Sequence, residues 1–239
     1  MIVFPMLGRS SRFFNAGYTV PKYQLPLWGE YVFSHCVRTF EQYFSTDPFV
    51  FLVRGDYAAR SFVASEASRL GIMDFRIMQI DFETRGQAES VFLGIKDAHD
   101  EQELIVFNID TIRPHFTKPT LQGFADGFLE VFEAEGDAWS FVEPISGSDR
   151  VARTTEKDRI SSLCSDGLYG FRRVGDFRAS YGRYVDAGHT VNGEIYIAPL
   201  YNQLISEGKD IRYTRVDTKD VIHCGIPQDY ELLLKKTLG

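Results

Sequence analysis

A polar loop and two cations follow the first apolar segment of the chain. Residues 2–4 are apolar and predict a buried strand, and Gly8 lies in the short polar loop after them. Glycine lets the backbone turn tightly, so amide groups of the loop can donate hydrogen bonds to an anion. Arg12 and Lys22 can supply positive charge. This order indicates a loop that binds the phosphates of a nucleotide, although such a loop alone is as typical of an ordinary turn between a strand and a helix.

A carboxylate follows a later apolar run. Asp110 comes shortly after residues 104–107, which predict a strand with this acid near its carboxyl end. Because ligands bind beyond the carboxyl ends of parallel strands, we expect Asp110 on the same rim as Gly8. Magnesium commonly takes one or two carboxylates together with phosphate oxygens and water. Asp110 is therefore a candidate metal ligand, and the alternative is an acid that caps the next turn or helix.

Two further polar segments have residue types suited to binding. Gly86 stands at the predicted start of a helix and is followed by Gln87 and Ala88, although a simple turn residue explains this glycine equally well. Glu156 can accept two hydroxyl hydrogen bonds, and Lys157 can neutralise a phosphate as a point charge. An exposed Glu-Lys pair is also common on a solvated strand edge.

Alternating strand and helix patterns must position these residues. Apolar runs recur at 49–53, 75–80 and 104–109, and the segments 31–44 and 58–70 have helical spacing of apolar residues. The alternation predicts right-handed crossovers and a mostly parallel sheet that is covered on both faces. After about residue 137 shorter strands and two helices are predicted, with the strands at 138–143, 151–156, 167–172 and 211–216 and the helices near 195–207 and 227–236.

The composition restricts the kinds of partner. A chain of 239 residues that is 44% hydrophobic can bury one sizeable core, so we expect one domain. The net charge of -7 argues against a nucleic-acid partner, which would require a broad basic surface. Cys36, Cys164 and Cys224 are odd in number and widely spaced, which favours reduced, buried thiols. Apolar runs fall short of the roughly 18 residues of a membrane span, so we expect a cytoplasmic protein with no membrane partner.

The first loop resembles the signature of the nucleotidyltransferases that make activated sugars. That signature runs small-Gly-x-Gly-Ser/Thr-Arg, with Pro-Lys about ten residues later. Here it is occupied by Leu7, Gly8, Arg9, Ser10, Ser11 and Arg12, followed by Pro21 and Lys22. Ser10 replaces the second glycine, so we expect a stiffer loop at this position. The resemblance implies that residues 7–11 bind the nucleotide and that Arg12, Lys22 and Asp110 are catalytic.

Later segments follow the order of the same family. The resemblance implies that Gly86, Gln87 and Ala88 pass beside the nucleobase and ribose, and that Asp110 binds the catalytic magnesium. Asn108, two residues before this acid, is assigned to the acceptor site.

The second half of the chain contains the family's Glu-Lys pair. Glu156 and Lys157 precede a Gly-Leu-Tyr-x-Phe segment at residues 167–171, and Glu194 follows Gly193 as in the family's Gly-Glu segment. The resemblance implies that both acids bind hydroxyl groups of the acceptor, while Lys157 binds its phosphate.

A segment near the end resembles the family's Asp-x-Gly-Thr-Pro-x-Asp motif. His223 replaces the first Asp, which is often a second metal ligand, so His223 is the second candidate ligand. Imidazole is a poor ligand for magnesium, so either Asp110 and phosphates hold the ion, or manganese is tolerated, or the site is degraded. Asp229 is expected to be the acid of a helix N-terminus.

The resemblance implies a Rossmann-like three-layer α/β sandwich with a mixed, mostly parallel central sheet, the nucleotide-diphospho-sugar transferase fold. It implies one domain, 1–239, with a nucleotide-binding half at 1–136 and an acceptor-binding half at 137–239. The expected reaction joins a nucleoside triphosphate to a phosphorylated small-molecule acceptor, by default a sugar 1-phosphate, and releases pyrophosphate for synthesis of a surface polysaccharide such as a capsule. Magnesium is the expected cofactor, and a second copy of the chain is a candidate partner in a homo-oligomer.

Three alternatives stay open from the sequence. One is a cytidylyltransferase for a phosphorylated acceptor that is not a sugar. Another is a non-catalytic regulator that binds a nucleotide or sugar nucleotide, because Ser10 and His223 depart from the family pattern. The last is a glycosyltransferase of related architecture, which should have an Asp-x-Asp pair where residues 108–110 supply only one acid.

Overall fold

Strands and helices alternate along the chain. The computed structural model describes residues 1–119 and 125–236. In these ranges the strands are β1 (Ile2–Pro5), β2 (Pro26–Leu27), β3 (Glu30–Tyr31), β4 (Phe49–Val53), β5 (Phe75–Gln79), β6 (Leu104–Phe107), β7 (Thr111–Ile112), β8 (Gly127–Glu133), β9 (Ser140–Pro144), β10 (Val151–Glu156), β11 (Leu163–Phe171), β12 (Ile211–Arg215) and β13 (Ile222–His223).

The α-helices lie between these strands and after the last one. They are α1 (Ser11–Asn15), α2 (Val32–Val37), α3 (Ala59–Leu70), α4 (Gln87–Gly94), α5 (Val174–Asp186), α6 (Tyr201–Ser206) and α7 (Pro227–Leu234). Short 3-10 helices are present at Lys22–Gln24, Arg38–Tyr43, Ala198–Leu200 and Thr218–Asp220. In the described part of the chain no helix is long and apolar enough to cross a membrane.

The chain forms two compact units, and each is built from separate segments of the sequence. Unit 1 contains Met1–Val3, Phe82–Phe107 and Lys118–Thr218. Unit 2 contains Phe4–Asp81, Asn108–Thr117 and Lys219–Gly239. The expected single domain with halves at 1–136 and 137–239 stays a prediction.

The sheet of unit 1 is organised around β11. All nine residues of β11 are buried, which is the pattern of a strand covered on both faces. It pairs antiparallel with β6, β8 and β9, while β6 pairs parallel with the first residues of β1, and β8 pairs parallel with β12. Gly170 is required in β11, because a Cβ there would lie 2.0 Å from the ring of Phe128.

Unit 2 is built on the parallel pair of β4 and β5. All five residues of β4 are buried, and Phe49 lies opposite Phe75 in the register of the pair. Aromatic rings fill the core beside β4, where Phe4 stacks on Phe51 with a centroid distance of 5.5 Å and meets Phe40 edge to face at 5.8 Å. The predicted α/β class with a mixed sheet is therefore confirmed.

Two predicted helices differ in extent from the observed ones. The segment 31–44 forms α2 followed by a 3-10 helix, and within that 3-10 helix the backbone leaves helical geometry at Phe40 (φ -110°, ψ 23°). The segment 195–207 becomes helical only at Ala198, since Ile195 forms backbone hydrogen bonds with another segment. In both cases tertiary contacts or a local break decide where the helix begins and ends.

Strand β8 and helix α5 were missed by the sequence analysis. In β8 a charged residue, Glu130, interrupts the apolar run, and the strand starts at a glycine. Helix α5 contains Gly175 and Gly182, which lower intrinsic helix propensity by about 1 kcal/mol each. Its periodic apolar residues, Val174, Phe177, Tyr181 and Tyr184, are buried, so packing of this face outweighs the glycines.

Candidate active site

Lys22 and Asp110 form an ion pair in unit 2. Lys22 Nζ lies 2.5 Å from Asp110 Oδ2, and the two side chains are 20% and 25% exposed. Burial raises the pKa of the Asp110 carboxyl, but the charge of Lys22 and its hydrogen bond outweigh burial, so this pKa lies below its ordinary value. Asp110 is therefore an anion at neutral pH, fixed beside a cation.

Ser10 links the predicted phosphate loop to this pair. Its hydroxyl accepts a hydrogen bond of 3.2 Å from the backbone N–H of Lys22. Ser10 adopts φ 51° and ψ 28°, a left-handed conformation that glycine adopts most readily. The serine thus adopts a backbone geometry suited to the glycine that it replaces, and it adds a contact that fixes Lys22.

The remaining loop residues lie around the start of α1. Leu7 is half-buried, whereas Gly8, Arg9 and Ser11 are exposed, and a Cβ at Gly8 would meet no atom within 4 Å. The loop backbone is therefore open to a ligand. Arg12 lies on α1 with an exposed side chain that makes no ion pair within residues 1–119 and 125–236.

A cavity of about 460 Å³ opens beside the loop in unit 2. Gly8 and Arg9 line it together with Arg54, Asp56 and Tyr57, which directly follow β4. The guanidinium of Arg54 donates to the Asp56 carboxylate at 3.1 Å. The sequence analysis missed these three residues, although polar residues after a buried parallel strand are the same pattern that identified Asp110.

His223 lies next to Asp110 through a short antiparallel pair. In this pair, His223 of β13 is opposite Thr111 of β7. Burial lowers the pKa of the His223 imidazole, and the charges of Asp110 and Asp229 only partly offset this effect. The imidazole is therefore neutral at neutral pH. Burial also raises the pKa of Asp229, which stands in the first turn of α7.

Asp110 is held by the segment after His223. The backbone N–H of Cys224 donates to Asp110 O at 2.9 Å, and the Cys224 thiol donates to the same oxygen at 3.2 Å. A Cβ at Gly225 would lie 2.9 Å from Asp110 Oδ2. Glycine at position 225 therefore leaves space for the carboxylate.

These donors fit a metal site with one carboxylate from the protein. Among residues 1–119 and 125–236, no group of three or more His, Cys, Asp or Glu side chains could hold an ion. Asp110 offers a hard oxygen ligand, and the neighbouring His223 is a poor ligand for magnesium. The space that Gly225 leaves keeps the carboxylate accessible. Phosphate oxygens of a nucleotide and water would have to complete the coordination, as is common for magnesium.

Unit 1 contains the predicted Glu-Lys pair at the end of β10. Glu156 is buried, and its carboxylate accepts a hydrogen bond from the Ser140 hydroxyl, which lies 3.2 Å from the hydroxyl of Tyr169. Burial raises the pKa of Glu156, while Ser140 and Lys157 lower it and the charge of Glu194 raises it further. The two glutamates therefore lie close enough for the charge of Glu194 to affect Glu156.

Lys157 contacts an aromatic residue that sequence analysis did not identify. Its Nζ donates to the hydroxyl of Tyr196 at 2.5 Å and lies 4.5 Å from the centroid of the ring. Lys157 has φ 54°, a conformation that few residues other than glycine adopt. The position of Tyr196, two residues after Glu194, was the only available indication of this contact in the sequence.

Gly86 contacts the segment that contains Glu194. Gly86 has φ 124°, and a Cβ there would lie 2.7 Å from the backbone oxygen of Ile195. Ile195 N–H donates to Arg85 O at 2.6 Å, and Ala88 N–H donates to Ile195 O at 3.0 Å. The glycine is therefore required by the close approach of another backbone. The predicted contact of Gly86, Gln87 and Ala88 with a nucleobase stays a prediction.

Comparison with known proteins places the chain in a family. No family model and no curated protein matches it. Among solved structures, the nucleoside-diphosphate-sugar pyrophosphorylase from Vibrio cholerae RC9 is 47% identical, with a TM-score of 0.93 over 99% of this chain and 100% of that chain. The chain belongs to the nucleoside-diphosphate-sugar pyrophosphorylase family. The predicted resemblance to sugar-phosphate nucleotidyltransferases and the predicted Rossmann-like fold are therefore confirmed.

More distant structures share the fold of this family. The inositol-1-phosphate CTP transferase from T. maritima is 14% identical, with a TM-score of 0.73 over 97% of this chain and 94% of that chain. A UDP-glucose pyrophosphorylase complexed with UDP-glucose is 16% identical, with a TM-score of 0.74 over 97% of this chain and 95% of that chain. The fold thus extends across enzymes whose names give different bases and acceptors.

Proposed function

We propose that this member of the family transfers a nucleotidyl group from a nucleoside triphosphate to a sugar 1-phosphate and releases pyrophosphate. An oxygen of the acceptor phosphate attacks the α-phosphorus and forms a new P–O bond. The bond between the α-phosphorus and the oxygen that bridges the α- and β-phosphorus atoms breaks, and pyrophosphate leaves with the electron pair of that bond. The attacking oxygen is already an anion, so the protein contributes mainly positioning and electrostatic stabilisation.

The Lys22–Asp110 ion pair is the observation that carries this proposal. Ser10 ties Lys22 to the loop, so the cation and the amides of residues 7–11 form one anion-binding element of unit 2. Lys22 and the exposed Arg12 neutralise the charge that develops on the triphosphate. Arg9 lines the adjacent cavity and adds positive charge for the same ligand.

In this proposal Asp110 would hold a divalent ion, which we take to be magnesium, and His223 would lie beside that ion. Such an ion neutralises charge on the triphosphate when it is bound. The Lys22 ammonium contacts Oδ2 of Asp110, so an ion held by this oxygen would have to share it with Lys22 or replace that contact. Asp110 Oδ1 is the second oxygen of the same carboxylate and is the alternative ligand.

The acceptor site is formed by unit 1 residues in this proposal. Glu156 and Glu194 accept hydrogen bonds from sugar hydroxyls, and Lys157 binds the acceptor phosphate. The buried position of Glu156 and its hydrogen bond from Ser140 support a fixed orientation of this acceptor group. Asn108, the first residue after β6, belongs to unit 2, and its assignment to the acceptor rests on the family resemblance alone. That the product is a precursor of a surface polysaccharide is part of the proposal and is supported only by the family resemblance.

The test is pyrophosphate release from each of the four common nucleoside triphosphates with a panel of phosphorylated sugars and phosphorylated amino alcohols, in the presence of magnesium. We expect turnover with at least one pair, and a loss of at least about tenfold in Lys22→Met and Asp110→Asn, as for other groups that stabilise transferred charge. Arg215→Met is the control, because Arg215 pairs with Glu133 on the exposed surface of unit 1. Nucleotide binding without turnover across the panel would instead support the non-catalytic regulator.

A further inference from the structure

We propose that Tyr196 is a positioning residue of the acceptor site, where its hydroxyl holds the Lys157 ammonium in place for the acceptor phosphate. This inference rests on the proposed function, because it takes Lys157 as the group that binds that phosphate. Tyr196 belongs to neither sequence motif that identified the acceptor residues, and only its contacts indicate the role.

The first observation is the double contact between the two side chains. The ammonium of Lys157 donates to the Tyr196 hydroxyl at 2.5 Å and lies 4.5 Å from the centroid of its ring. Lysine has a flexible stem of four carbons, so an exposed ammonium with no fixed partner samples many positions. One hydrogen bond uses one of its three donors, and the other two remain for a phosphate.

The second observation is that the backbone directs Lys157 toward this contact. Its φ of 54° places it in the left-handed region, which is unfavourable for a residue with a side chain. The N–H of Lys157 donates to Trp139 O at 2.8 Å, which anchors this conformation to the residue just before β9. Unusual backbone geometry of this kind is concentrated at binding sites.

The third observation is that the segment bearing Tyr196 is itself fixed. Val191 and Glu194 exchange backbone hydrogen bonds of 2.8 and 3.0 Å around a tight turn, and Ile195 is held by the backbone next to Gly86. Burial raises the pKa of the Tyr196 phenol, and the neighbouring Glu194 carboxylate raises it further. Tyr196 is therefore held on a fixed segment, from which its hydroxyl contacts the predicted phosphate ligand, Lys157.

The kinetic test compares Tyr196→Phe, Lys157→Ala and the double variant. Phenylalanine keeps the ring and removes the hydroxyl, so we expect the acceptor KM to rise about fivefold, as for the loss of one hydrogen bond, with kcat and the nucleotide KM nearly unchanged. Because the hydroxyl acts through Lys157, the same substitution in the Lys157→Ala background should have almost no further effect on the acceptor KM. Tyr213→Phe is the matched control, since its hydroxyl donates to Ser148 O in the same unit.

A chemical test gives a second readout that does not depend on turnover. Reductive methylation with formaldehyde and borohydride, followed by peptide mass spectrometry, measures how accessible the Lys157 amine is. We expect the rate at Lys157 to rise at least about twofold in Tyr196→Phe and to stay constant in Tyr213→Phe, since only the first variant frees the ammonium. An unchanged rate, or additive effects of the two substitutions on the acceptor KM, overturns the inference. If the wild type releases no pyrophosphate with any substrate pair, the proposed function fails, and this role of Tyr196 fails with it.

Discussion

A Cβ atom on Gly225 would lie 2.9 Å from Oδ2 of Asp110, the oxygen that binds the Lys22 ammonium. Real Cβ atoms essentially never come this close to another heavy atom, so any side chain at position 225 must displace the carboxylate or the segment after β13. The two residues are 115 positions apart, and the contact explains why a glycine stands two residues after His223.

Gly225→Ala is therefore predicted to reduce the rate of pyrophosphate release at least about tenfold, because a displaced Asp110 no longer fits Lys22 or a metal ion. Circular dichroism should show a folded protein. Gly182→Ala is the matched control, since a Cβ there meets no atom within 4 Å in helix α5, and it should increase the free energy of unfolding by about 0.5–1 kcal/mol. Full activity of Gly225→Ala would contradict the proposed place of Asp110 in the site.

Substitutions of Ser10 should separate backbone strain from hydrogen bonding. Ser10→Ala keeps the left-handed conformation and loses the hydrogen bond from Lys22 N–H, so we expect a loss of about 1 kcal/mol in the free energy of unfolding and a higher nucleotide KM. Ser10→Gly loses the same bond and relieves about 1 kcal/mol of strain, so its stability should lie near the wild type. Urea denaturation and nucleotide titrations measure both effects, and equal stability of the two variants would refute this account.

Arg54 and Asp56 should affect nucleotide binding in opposite directions. Both line the cavity beside Gly8, and Asp56 neutralises part of the charge of Arg54 at 3.1 Å. Arg54→Ala is expected to raise the nucleotide KM about fivefold, whereas Asp56→Asn should lower it, because Arg54 then has its full charge for a phosphate. Arg60→Ala is the control, since its guanidinium donates to Ile77 O elsewhere in unit 2. Parallel effects of the two substitutions would show that the ion pair is only structural.

The ion pairs of Glu30 should make the free energy of unfolding fall as the pH is lowered into the acid range. Hydrogen bonds from Arg38 and Arg69 outweigh burial and lower the pKa of the Glu30 carboxyl to about 2. A lowered pKa in the folded state adds stability that is complete above the ordinary pKa of about 4.3 and is lost as the pH falls toward 2. Because the side chains are partly exposed, we expect Glu30→Gln to cost about 1–2 kcal/mol at pH 7 and nearly nothing at pH 2. Glu41→Gln, which removes an exposed partner of Arg38, should show little change at either pH when urea denaturation is measured.

Lys22 and Asp110 are the part of the site that could be predicted from sequence. Their local patterns, a polar loop before Lys22 and an apolar run before Asp110, make both residues candidates, the resemblance to the nucleotidyltransferases implies their roles, and the structure brings them into contact. For Ser10 the sequence predicts only a stiffer loop, and its left-handed conformation comes from the structure. Local patterns of this kind are visible without knowledge of the tertiary contacts.

Residues whose role depends on a distant partner could not be predicted in the same way. In the sequence Tyr196 is one aromatic residue in an apolar segment. Only the backbone hydrogen bonds of Ile195 and the contact with Lys157 indicate that it belongs to the candidate acceptor site. The sequence predicts Gly86 as a turn residue or a nucleotide contact, but it does not show the φ of 124° and the approach of the Ile195 backbone, which require a glycine; the nucleotide contact stays a prediction. Helix α5 was missed for a related reason, since its stability comes from packing of one face and not from its composition.

The interlock of residues 85–88 with Ile195 also limits how this enzyme can be re-engineered. A chimera in which residues 191–196 are replaced by the segment of a relative, in order to change the sugar substrate, would contain a backbone that does not fit residues 85–88 of this chain. Such chimeras should fold and be active only when residues 85–88 and residues 191–196 are exchanged together. A change of substrate therefore requires both segments, and replacement of 191–196 alone is not sufficient.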